Sequence, residues 1–207
     1  MSDDGPMSDD DAVLCRWLAT LLSAELNADT LASYRQGDAA PLFNLLRERG
    51  FGAGVDRLER ALEGLVLMPE PELELAADFT EMFLVDGRSA APPYASLYRE
   101  AAASLHGQAT ARMEARLAAS GYVVKDSLCE PPDHLAVMLE YLASRLEANA
   151  EGSRDNAETP ETFVREELSP WLPRFVQRCE KVATASDLYP AVVALTAAYV
   201  GSLSQNQ

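Results

Sequence analysis

Five consecutive residues, Glu130, Pro131, Pro132, Asp133 and His134, hold the densest set of reactive groups in the chain. Two carboxylates beside an imidazole could accept hydrogen bonds, exchange a proton or ligate a metal. The metal reading would draw on Cys129, Glu130, Asp133 and His134. Adjacent residues on a helix point about a quarter-turn or more apart, so Asp133 and His134 converge poorly on one ion. The other histidine, His106, has Thr110 rather than a ligand four residues on. No metal or other cofactor is therefore expected. His134 paired with Asp133 could act as an acid or base, or be a satisfied structural histidine. A plainer reading also stands: prolines and acidic residues suit the first turn of a helix, where N–H groups lack partners and the dipole is positive.

A second group of interest is Tyr94, Ser96 and Tyr98, which follow Gly87, Pro92 and Pro93. Alternating rings either anchor a loop onto a core or line a binding surface. Other chemistries lack their usual residues. Lys125 and Lys181 are the only lysines and neither follows glycine, so no P-loop can be drawn. Gly50, Gly52 and Gly54 sit after a Leu-rich helical pattern, with Val55 where a dinucleotide fingerprint needs its third glycine. They read as the end of one helix and the start of the next. A G-x-S-x-G nucleophile elbow is missing as well.

The elements that must position these residues read as helices throughout. From Leu135 the stripe Leu135, Met138, Leu139, Leu142 and Leu146 follows helical spacing, with Glu140, Ser144 and Glu147 on the other side. Upstream, helices are expected from Asp9, over Thr30 to Gln36, Ala40 to Arg49 and Gly54 to Leu67, and from Pro69 or Pro71 through Phe83. In the last of these Leu75, Phe79, Met82 and Phe83 are core, while Asp78 and Glu81 lie on the opposite, solvated face. Val85 to Tyr94 is a loop. Leu105 to Ser120 is a helix closed by Gly121. After the polar stretch Asn149 to Thr159, helices start at Pro160 and Pro170. A last helix, Asp187 to about Leu203, has Ser186 as its cap and a middle apolar all round, so it is buried. Tyr122 to Val124 is the sole β-branched cluster. The expected fold is all-α, a single globular bundle of about ten helices over residues 9–207 behind a disordered tail at 1–8.

The chain has 207 residues, enough for a sizeable core, with 48% hydrophobic and 24% charged residues. Its charge is unusual: 33 acidic against 17 basic residues, a net −16. Nucleic acid and anionic membranes are thereby excluded as partners, since both require clustered basic residues. A cationic ligand, or solubility alone, accounts for the excess. Three scattered cysteines without a CxxC point to a reducing compartment. The amino terminus lacks the basic and apolar regions of a signal peptide, and no apolar run spans a bilayer. The expected location is cytoplasmic.

E-P-x-D-H opening a Leu-rich helix resembles the signature of the TorD/DmsD/NarJ family, cytoplasmic chaperones of bacterial molybdoenzymes. Asp78 to Tyr98, DFTEMFLVDGRSAAPPYASLY, is similar to the family's D-(Y/F)-T-x-x-F, Gly/Pro loop and P-(W/Y)-x-S-x-Y. The resemblance implies a non-enzymatic chaperone. Such proteins bind the twin-arginine signal peptide, and often other parts, of an apo-molybdoenzyme until its cofactor is inserted. It carries peptide binding over to Tyr94, Ser96, Tyr98, Glu130, Pro132, Asp133 and His134. Carboxylates bonding arginine, and rings lining a groove for an apolar segment, suit that role. The chain is expected to act as a monomer or dimer. Two alternatives belong to other classes: a weak GTP-binding or hydrolysing enzyme, and an acidic helical adaptor.

Overall fold

The computed structural model describes residues 9–85, 89–99, 107–122, 130–150 and 158–204. The tail read at 1–8 lies outside them, as do His106, Val123, Val124, Lys125 and Cys129.

Among the described residues the regular structure is helical, as the spacing of apolar residues requires. The order is α1 (Asp9–Ser23), α2 (Ala28–Gln36), α3 (Ala40–Glu48), α4 (Gly52–Leu65) and α5 (Pro71–Phe79). Then come α6 (Ser96–Arg99), α7 (Gln108–Ser120), α8 (Leu135–Ala150), α9 (Pro160–Phe163), α10 (Leu172–Cys179) and α11 (Leu188–Leu203). Helix α5 widens into a π-helical turn over Thr80–Leu84, and α9 into another over Val164–Leu168. An isolated antiparallel bridge joins Tyr94 to His134. No helix among the described residues is long and apolar enough to cross a membrane.

The helices gather into two compact units. The first takes in the described residues of 9–23, 93–174 and 200–204; the second takes in those of 24–92 and 175–199.

In the first unit α1 packs along α8. Burying the α8 stripe contributes about 1.5–3 kcal/mol per large side chain. The helix is buried further round than one stripe: every residue from Leu135 to Ala143 is inside, including Glu140 at 6% exposure. That corrects the expectation that Glu140 faces outward. Its carboxylate lies 3.6 Å from Arg16 Nε and accepts the Tyr122 hydroxyl at 3.3 Å. Arg16 also pairs with Glu147 through both guanidinium nitrogens. A buried charge persists only with such partners.

In the second unit the Asn27 side chain accepts the Thr30 N–H at 2.9 Å to start α2, and Gly37 ends it at φ 92°. Gly50, at φ 88°, closes the turn after α3. A side chain on Gly54 would come within 2.9 Å of Leu195 Cδ1, so this glycine serves close packing. Phe79, Phe83 and Tyr189 form a ring cluster with centroids 5.0–5.9 Å apart. Asp78, expected in solvent, is 2% exposed. It accepts the Ala185 N–H at 2.6 Å, the Ser186 N–H at 2.8 Å and the Ser186 hydroxyl at 2.6 Å. Ser186 Oγ in turn accepts the Leu188 N–H at 3.4 Å as the cap of α11. Three donors from a distant turn bring the carboxylate inside, which helical spacing alone does not register.

Candidate functional site

The two sequence motifs meet through backbone within the first unit. Leu135 N–H donates to the Pro93 carbonyl at 2.8 Å, and Ala95 N–H to the Asp133 carbonyl at 3.0 Å. Between these bonds Tyr94 and His134 face each other as a non-hydrogen-bonded antiparallel pair, the arrangement that brings side chains closest. Their rings meet edge to face, centroids 5.0 Å apart. The prolines explain the geometry. They hold the chain extended or turned before α8, which begins only at Leu135. Glu130 to His134 therefore form a turn and bridge, not the first turn of the helix as the plainer reading had it.

Asp133 is 0% exposed. Its Oδ2 accepts the Ser96 N–H at 3.0 Å and its Oδ1 accepts the Thr110 hydroxyl at 2.9 Å. One carboxylate thus ties the segment before α8 to the start of α6 and to α7. Neutral donors occupy both oxygens, so the charge stays uncompensated by a bonded cation.

His134 is 4% exposed, and its Nδ1 accepts the Ala136 N–H at 3.1 Å, capping α8. That bond leaves the proton of the neutral ring on Nε2. Burial pushes its pKa down to about 4, although Glu130 and Asp133 pull the other way. The ring is neutral at physiological pH.

Glu130 and Tyr94 are half-buried, as is Pro132. The Tyr94 hydroxyl donates to Glu130 Oε2 at 2.7 Å. Burial, then this bond and the nearby carboxylates, raise the phenol well above its ordinary range. No hydrogen bond to Glu130 Oε1 is made by any described residue. Tyr98 is buried, stacked on Trp171 with centroids 5.6 Å apart, and its carbonyl accepts from Arg174 at 2.9 Å. Ser96 is fully buried, and its hydroxyl has no hydrogen-bond partner among the described residues.

The seven residues singled out from sequence therefore lie in one neighbourhood, in two layers. Glu130, Tyr94 and Pro132 reach the surface; Asp133, His134, Ser96 and Tyr98 stand behind them. Thr110 and Trp171 hold that inner layer and were not legible. Neither belongs to a motif, and their partners lie far along the chain. Among the described residues no group of three His, Cys, Asp or Glu side chains is placed to hold a metal ion.

A half-open carboxylate steadied by a phenol can accept hydrogen bonds from a cation. The family model described as nitrate reductase delta subunit matches residues 46–177. The chain is 37% identical to the chaperone protein TorD of Pasteurella multocida, over 86% of this chain and 87% of that one. It is 31% identical to TorD of a Psychrobacter species (91% and 87% covered) and 34% to TorD of Actinobacillus succinogenes (90% and 93%). The chain belongs to the TorD-like family of molybdoenzyme maturation chaperones, and its role is that of a chaperone, not an enzyme.

Proposed function

We propose that this chaperone works in the cytoplasm, on an apo-molybdoenzyme of the DMSO/TMAO reductase type, and binds its twin-arginine signal peptide before export. Glu130 is the contact for a peptide arginine, with Tyr94 and Pro132 beside it. Asp133, His134, Ser96 and Tyr98 are the supporting members of the same site.

One observation carries the reading: Glu130 has one oxygen fixed by Tyr94 and the other open, while His134 beside it is neutral. With the Asp133 carboxylate buried behind it, Glu130 is the carboxylate that reaches the surface, and a guanidinium bonds a carboxylate strongly. The TorD relatives and the net charge of −16 support the same choice.

Calorimetry with a twin-arginine peptide tests it. Replacing both peptide arginines by alanine should weaken binding, and so should Glu130→Gln, the latter by about 1–3 kcal/mol. The two losses should not add, because they remove the same contact. Affinity should also fall with added salt. Additive losses, or a Glu130→Gln protein that binds as before, would remove Glu130 from the peptide site.

A further inference from the structure

The second unit carries an unusual strip where α4 passes into α5. Val66, Leu67 and Leu73 are 63%, 88% and 63% exposed. Val66 lines a groove of about 470 Å³ between α2, α3 and α4, whose walls also include Tyr34, Phe43 and Leu62 with Arg35, Glu59 and Glu63. Isolated exposed leucines need no explanation, but three exposed apolar residues within eight positions, one of them lining a groove, mark an interaction surface.

Charge narrows the occupant. From residue 61 to residue 87 the chain holds seven acidic residues and no lysine or arginine. Glu63, Glu70, Glu72 and Glu74 are exposed and have no ion-pair partner among the described residues. Glu59, also on the groove, is already held by Arg47 at 2.5 Å. Carboxylates flanking an apolar strip repel an anionic lipid surface. They also disfavour a second copy seated on the same strip, since two-fold pairing would double the unpaired carboxylates.

We propose that this strip and groove dock a polypeptide segment that is apolar and carries lysine or arginine at its flanks. Leu67, Leu73 and Val66 supply the apolar contact, and Glu63, Glu70, Glu72 and Glu74 select the charge. It is a binding surface separate from the Glu130 site and uses none of its residues. A chaperone with two such surfaces holds an unfolded client at two points, which raises avidity without new contacts at either.

The test uses the full chain and two labelled synthetic peptides, one of leucine and lysine and one of leucine and glutamate. The wild-type protein should bind the lysine peptide and not the glutamate peptide. Leu67→Ser combined with Leu73→Ser should weaken lysine-peptide binding at least about ten-fold, since two leucine contacts are lost. Glu63→Lys should weaken it. Melting curves confirm that these exposed substitutions leave the fold intact.

Unchanged lysine-peptide binding by the serine variant overturns the proposal. So does equal binding of the glutamate peptide, or a wild-type dimer in the ultracentrifuge that the serine variant abolishes. Loss of twin-arginine peptide discrimination at Glu130, with the strip behaving as stated, would instead count against the signal-peptide reading alone.

Discussion

Asp133 and Glu167 are both carboxylates buried in the first unit, at 0% and 2% exposure, yet their surroundings are opposites. Asp133 is held by a backbone N–H and a threonine hydroxyl. Glu167, in the π-helical turn after α9, is held by arginines. Arg112 Nε lies 3.0 Å from it, Arg116 Nη1 lies 3.2 Å away, and Arg99 pairs with its Oε2. Arg116 also pairs with Glu158 at 3.0 Å, and the Glu167 carbonyl accepts the Trp171 indole N–H at 2.9 Å. The Glu167 carboxylate thus meets cations within its own network. The Asp133 node has no such partner among the described residues, and in the proposed site this leaves Glu130 beside it as the group that meets a peptide cation. Where a buried carboxylate is neutralised it stabilises; where it is only hydrogen-bonded it also biases what binds nearby.

The largest effect expected from this contrast is at Glu167. Glu167→Ala leaves three arginines without their shared partner and should destabilise the fold by about 3–5 kcal/mol in chemical denaturation. Below the transition, twin-arginine peptide affinity should be unchanged. A matching loss of affinity would break the distinction between the two nodes.

His134 supplies the next. Its pKa falls from 6.5 to about 4 on folding, so the unfolded chain binds the proton more readily between those values. Stability from this group is whole above pH 6.5 and is lost as pH falls toward 4, by about 3 kcal/mol in all. Other carboxylates titrate nearby, so the check is a difference. His134→Asn keeps an acceptor for Ala136 and should flatten the pH dependence of stability over that window. Identical slopes would contradict the buried neutral ring.

Asp133→Asn comes third. The amide offers one acceptor where two donors converge, so Ser96 N–H or the Thr110 hydroxyl loses its partner. The cost should be about 1–3 kcal/mol, seen as a lowered melting temperature. Thr110→Val should destabilise as well, and the two changes should be less than additive because they share one bond. Full additivity would separate Thr110 from the node.

The smallest change expected is at Glu130. Glu130→Gln should alter stability by no more than about 0.5 kcal/mol, as surface substitutions do. Its effect should fall on peptide affinity and its salt dependence. A large drop in melting temperature would place Glu130 with Asp133 as a support rather than a contact.

The helical class and the location of most helices were determined by the sequence itself, because apolar spacing, caps and prolines act over a few residues. The two motifs could also be found there, and with them Tyr94, Glu130, Asp133 and His134. What each residue does with its side chain was decided only by tertiary structure. Asp78 and Glu140 read as solvated from helical spacing, yet one is capped by a turn 108 residues away and the other is met by Arg16 from α1. Asp133 and Glu130 look alike in the string EPPDH. They differ because Ser96 and Thr110, 37 and 23 residues distant, reach one of them and not the other. A carboxylate is buried when enough donors converge on it, and the convergence of residues far apart in the chain is a property of the folded structure.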